Sequence, residues 1–111
     1  MIKAELVREN GFLRTCSICG HAGAGPKGSD IVCAAVSVLA RTAADVLSKR
    51  KGVKFSGKFP RRGDFLLEIL SVTAEETDFT AGVGDFLTEG LVSVAREYPD
   101  FCSVSIEEHR R

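Results

Sequence analysis

Apolar and polar residues alternate over residues 2–8, with Ile2, Ala4 and Leu6 on one side and Lys3 and Glu5 on the other. That period of two is the signature of a half-buried strand. Glu9-Asn10-Gly11 then supplies a hairpin turn, because Asn-Gly readily takes positive φ, and residues 12–19 read as the returning strand. Residues 20–29 form a loop with four glycines and one proline. From Asp30 the period changes. Ile31, Ala35, Val38, Leu39, Thr42 and Val46 recur every three or four residues, which predicts an amphipathic helix. Its end is set near Lys49-Arg50-Lys51-Gly52, where cations suit the helix C-terminus and glycine breaks the helix. Residues 53–59 and 64–72 predict two more strands, joined across Pro60-Arg61-Arg62-Gly63. Thr73 and Glu76 have the spacing of a capping box. The second helix they introduce runs through Phe79, Val83, Phe86, Leu87, Leu91 and Val94 to about Tyr98, although Gly82, Gly84 and Gly90 lower its propensity. Pro99-Asp100 stops it, and residues 101–107 predict a last strand. The order ββα-ββ-α-β implies an α+β fold, a mostly antiparallel sheet with two helices packed on one side.

Composition adds little to that picture. A length of 111 residues suits a single domain spanning 1–111. Hydrophobic residues make up 44% and charged residues 27%, so a core can form without a metal or disulfide staple. Fifteen Lys and Arg balance fifteen Asp and Glu, which points to neither a nucleic-acid nor a membrane surface. The local exception is the run Lys49, Arg50, Lys51, Lys54, Lys58, Arg61 and Arg62, read as a solvated helix end and loop. The chain starts directly in strand alternation, with no basic segment leading into an apolar one. No apolar run approaches the roughly 20 residues that span a bilayer. We therefore expect a cytoplasmic protein whose four cysteines are reduced.

The chemistry concentrates around the glycine-rich loop. His21 follows the end of a strand, where a side chain can point over the sheet edge into a cleft. Cys33 is expected in the first turn of the helix, where unpaired N–H groups and the helix dipole favour a thiolate. A thiolate is the nucleophile that peptide hydrolysis needs, and an imidazole nearby can carry protons to the leaving amine. The intervening loop can fold back and bring the two together. Asp30 lies three residues before Cys33 and Ser37 four after it, so all three share a helix face. Asp30 suits the N-cap position and equally the role of orienting His21. Its carboxylate would raise the thiol pKa against the pull of the helix dipole. Ser37 also reads as an ordinary helix serine.

The run Gly20-His21-Ala22, the spacer Gly23-Ala24-Gly25-Pro26-Lys27-Gly28, and Ser29-Asp30-Ile31-Val32-Cys33-Ala34-Ala35-Val36-Ser37 resembles the signature of the ribosomal-processing cysteine protease family. The likeness extends over essentially the whole chain, from the opening Met1-Ile2-Lys3 strand and Asn-Gly hairpin to the terminal strand. It implies a single cysteine-peptidase domain with His21 and Cys33 as catalytic dyad, assisted by Asp30 and Ser37, and no cofactor. It also implies a homodimer whose loop, through Gly20, Gly23, Gly25 and Gly28, moves to admit a peptide. The implied substrate is the N-terminal extension of the large-subunit ribosomal protein numbered twenty-seven, cut after an aromatic pair. The spacer departs from its relatives, which often carry an aromatic residue or Asn there.

Rival readings use the same residues. Gly23-x-Gly25-x-x-Gly28 spells a dinucleotide fingerprint. It follows a hairpin, however, instead of opening a parallel unit, it places Asp30 where phosphates would dock, and Asp45, the acid at suitable distance, lies inside the helix. Cys16, Cys19, His21 and Cys33 offer four ligands of zinc type, or a redox pair. Cys16 and Cys19 sit three apart on a strand, though, and so face opposite sides. A third reading is a non-catalytic, dimeric peptide-binding module.

Overall fold

The computed structural model describes residues 1–20, 28–60 and 64–110, with only the backbone of residues 28–30. Strands β1 (Ile2–Glu9) and β2 (Phe12–Cys19) form the expected hairpin, and helix α1 spans Gly28–Ser48. Strands β3 (Val53–Lys58) and β4 (Phe65–Val72) follow, then helix α2 (Thr77–Glu97) and strand β5 (Cys102–His109). The five strands make one sheet in the order β3-β4-β2-β1-β5. All neighbours are antiparallel except β1 and β5, which run parallel because α2 carries the chain across to the far edge. The fold is therefore α+β, as the element order implies.

Asn10 and Gly11 both take positive φ, 53° and 83°, which matches the twist of a two-residue hairpin loop. One face of the sheet is buried. Ile2, Ala4 and Leu6 of β1, Leu13, Cys16 and Ile18 of β2, and Phe65, Leu67 and Ile69 of β4 all lie in the core. Val32, Val36, Ala40, Ala43 and Leu47 form the matching stripe on α1, and Leu87 and Leu91 that of α2. Over Ile31–Ser48, α1 is long and apolar enough by length and composition to cross a bilayer. One stripe of that apolar surface packs against the sheet, while Ile31 and Val38 remain exposed.

The α2 glycines, costly for helix propensity, have packing roles. A Cβ on Gly84 would lie 2.9 Å from Leu13 Cβ of β2, and one on Gly90 would lie 2.8 Å from Leu39 Cδ2 of α1. Only a bare backbone lets α2 approach both neighbours. Arg8 ties the assembly across its edge. It pairs with Asp85 of α2 at 2.9 Å and with Glu108 of β5 at 3.6 Å, and donates to Thr88 Oγ1 at 3.4 Å and to the Gly11 carbonyl.

Three boundaries differ from the sequence reading. Helix α1 begins at Gly28 and not at Asp30, so Gly28 belongs to the helix and Asp30 is its third residue, past the N-cap. The Thr73–Glu76 capping box does not form. Thr73 makes no side-chain cap bond, and a 3₁₀ turn, Ala74–Glu76, precedes α2. The Glu76 carboxylate instead pairs with Arg50 at 3.3 Å, and the Arg50 guanidinium stacks 3.7 Å over the Phe79 ring. Arg50 therefore bridges the end of α1 to the start of α2, and is not simply a solvated cation. The last strand extends to His109.

Cys16 is fully buried beneath the helices, and burial pushes its thiol up to about 12. The unfolded chain then loses that proton near pH 9 while the folded chain keeps it, so this contribution to stability is whole below pH 9 and declines above it. We expect the stability difference between the natural protein and Cys16→Val to narrow by about 1.4 kcal/mol per pH unit over that alkaline range. Denaturant melts of both proteins at pH 8, 9.5 and 10.5 would measure it, and a difference independent of pH would contradict it.

Candidate functional site

The sheet register gathers several chain segments at one end. Lys3 pairs with Cys19, Ile2 with Cys102, Ile18 with Phe65, and Leu66 with Lys58. The start of β1, the finish of β2, the finish of β3 and the start of β4 are thus side by side. Strand β2 is central in the sheet, and His21 follows it by two residues. Gly20, the last described residue before His21, takes φ 96°, and a Cβ there would overlap the Met1 carbonyl oxygen. The chain therefore passes so close to β1 here that the position requires glycine. Among the other sequence-predicted site residues, His21, Gly23, Gly25 and the side chain of Asp30 lie outside the described residues.

Cys33 is half-buried, packed against the core beside Val32 and Val36, which are 0% and 3% exposed. It therefore stands at the rim of the buried stripe of α1, anchored on one side and open on the other. Ser37, one turn on, is exposed on the same line of the helix. Because α1 starts at Gly28, Cys33 is the sixth helical residue and falls in the second turn, not the first. Its N–H is engaged in the helical ladder, and the dipole effect fades beyond the first turn. Any activation of this thiol can therefore draw less on the helix than a first-turn position would allow.

The four cysteines occupy distinct environments. Cys16 and Cys102 are buried, and burial raises both thiols. Cys19 is exposed, paired across the ladder with Lys3 on the face of the sheet away from the helices, whereas Cys16, opposite Leu6, faces the core. Cys16 and Cys19 point to opposite faces and cannot hold one ion together. Among the described residues no group of three His, Cys, Asp or Glu side chains comes together.

One cluster was missed by sequence reasoning. The Arg41 guanidinium sits 5.3 Å from the centroid of Phe59, whose ring lies 5.0 Å from that of Phe65. Cys33, Ser37 and Arg41 are spaced four and four along α1, a signal present in the sequence. Nothing in the sequence, however, places Phe59 against that stripe.

The sequence profile of the family described as cysteine protease Prp matches residues 1–103. No curated protein matches. The crystal structure of SMU.848 from Streptococcus mutans is similar at 29% identity and TM-score 0.82, covering 98% of this chain and 96% of that one. The essential ribosomal processing protease Prp from S. aureus, solved with a substrate peptide, superposes with TM-score 0.80 at 16% identity, covering 96% of this chain and all of that one. The same protease with a covalently linked product peptide gives TM-score 0.80 at 18% identity, with coverage again 96% and 100%. With the profile matched over nearly the whole chain and the fold shared, this chain belongs to the cysteine protease Prp family.

Proposed function

We propose that this cysteine peptidase removes the N-terminal extension of the large-subunit ribosomal protein numbered twenty-seven, in the bacterial cytoplasm, with Cys33 and His21 as its dyad. The observation that carries this reading is the placement of Cys33. It is held half-buried at the rim of α1, in a chain whose central strand ends at Cys19, with His21 two residues further along the sequence. The resemblance of the His21–Cys33 motif to the ribosomal-processing family supports it. So do the names of the structural neighbours, which describe a ribosomal processing protease with substrate and product peptides.

In this reading the peptide binds extended across the α1 rim. The Cys33 thiolate attacks the scissile carbonyl and forms an S–C bond, and the carbonyl electrons move onto oxygen. The oxyanion is met by N–H groups of the first turn of α1, which have no partner within the helix. On collapse the C–N bond breaks and the imidazolium of His21 gives its proton to the leaving amine. Neutral His21 then takes a proton from water as it attacks the thioester, and the thiolate leaves. Asp30 and Ser37 assist as positioning residues. With Cys33 beyond the first helical turn, His21 carries most of the work of generating the thiolate.

Cys33→Ser and His21→Ala should each lower kcat/KM at least about 10³-fold while leaving the melting temperature near that of the natural protein. The assay is cleavage of the same organism's ribosomal precursor, followed by mass spectrometry, with Cys33→Ala as control. Turnover at the natural rate in either variant would exclude the dyad. Gly20→Ala should cost about 1–3 kcal/mol of stability and reduce turnover. Relief of the overlap with Met1 must shift the segment that carries His21. A denaturant titration with unaltered slope would read the first effect.

The reading includes a homodimer. Between α1 and α2, on the side away from the sheet, lies a groove of about 650 Å³ lined by Val38, Leu39, Val46, Phe79, Val83 and Phe86. Phe86 is 73% exposed and Val38 63%. A surface this apolar supports association through the helices. Phe86→Asp should weaken the dimer at least about 30-fold without unfolding the chain, as sedimentation velocity across a concentration series would show. An unchanged dimer would place the interface elsewhere.

A further inference from the structure

Phe59 sits in an unusual setting for a phenylalanine at the end of an edge strand. The residue is 50% exposed, whereas Phe65, its ring partner 5.0 Å away at an interplanar angle of 47°, is only 4% exposed. The Arg41 guanidinium lies 5.3 Å from the Phe59 centroid. A cation over one ring, with a buried ring behind it, fixes the orientation of Phe59 and leaves half its apolar surface uncovered.

Two placements tie this cluster to the reaction. Phe65 pairs with Ile18 on β2, three residues before His21. Arg41 continues the line Cys33–Ser37 on α1, so the cluster lies on the same flank of the helix as the thiol. Eight residues of helix separate Arg41 from Cys33 by about 12 Å. Long side chains on a helix lean toward its N-terminus, here toward Cys33. An extended peptide advances about 3.3 Å per residue, so a substrate attacked at Cys33 would pass the cluster two to four residues from the cleaved bond.

Resting on the peptidase reading, the geometry points to Phe59, steadied by Arg41 and backed by Phe65, as a specificity-determining subsite. It takes an aromatic or large apolar side chain of the peptide two to four residues from the scissile bond. The exposed ring offers an apolar face and edge for a tilted aromatic contact.

The test is a set of synthetic peptides based on the substrate extension. They carry Phe, Leu or Ala singly at each of four positions on either side of the cleaved bond, and are assayed with the full-length protein. At one of these positions the natural protein should prefer Phe over Ala by about 10- to 100-fold in kcat/KM. Phe59→Ala should reduce that ratio to within about threefold. Phe59→Leu, which keeps apolar volume, should retain a preference for Leu over Ala and lose that for Phe over Leu. Arg41→Gln should lower the Phe/Ala ratio about 2- to 5-fold. An equal loss on every peptide would mark Phe59 as purely structural and overturn the subsite, as would an unchanged ratio in both Phe59 variants. Failure of the natural protein to cleave any member would defeat the peptidase reading itself, and the subsite with it.

Discussion

Two helices lie on a single face of one sheet, and that constraint settles where the chemically capable side chains can be. The buried stripe of α1, from Val32 to Leu47, must face Leu67, Ile69 and their neighbours. Once it does, the residues just off the stripe are assigned to the rim, and Cys33 is one of them. The same burial drives Cys16 into the core and leaves Cys19 on the outer face. Reactivity is distributed among identical side chains by packing. A thiol at the rim has one apolar wall to hold its rotamer and one open side for a substrate, which neither a buried nor a fully exposed cysteine combines.

The proposed dyad also requires that a base reach that rim, and in that reading the base is His21, two residues beyond β2. Strand β2 is central, so its end is enclosed by β1 and β4 instead of fraying at an edge. Gly20 turns the chain there against the Met1 carbonyl, in a backbone conformation that other residues adopt only under strain. The spacer that joins β2 to α1 thus leaves the sheet at a corner that requires glycine. Gly28, at its other end, is already part of the helix.

Period and turn chemistry made most of the fold legible. The alternation of Ile2, Ala4 and Leu6, the Asn10-Gly11 turn and the three-to-four spacing along α1 each have one simple structural meaning. The start of α1 was misplaced because glycine and serine carry no helical signal, while Asp30 resembles a cap. The Thr73–Glu76 box failed for a tertiary reason. Arg50, arriving from the end of α1, takes the Glu76 carboxylate that local spacing had assigned to a backbone amide. The α2 glycines misled in the same way, since Gly84 and Gly90 respond to Leu13 and Leu39, residues distant in sequence. For the site, spacing placed Ser37 on the Cys33 line, and the motif supplied His21. The contact of Arg41 with Phe59 joins a helix to a strand end and leaves no trace in any local pattern.

The shift of Cys33 into the second helical turn alters the division of labour in the proposed dyad. A cysteine in the first turn draws on free N–H groups and on the dipole, and can remain ionised without help. One turn further in, its own amide is spent on the ladder, and less help can come from the helix. In the proposed dyad the base is His21, which follows Gly20 at the head of the glycine-rich spacer. Nucleophile strength then depends on the placement of His21, and a peptide whose contacts set that placement would also complete the catalytic pair. Specificity and activation would in that case be drawn from the same binding event, an economy suited to a small protease that must spare every other protein in its compartment.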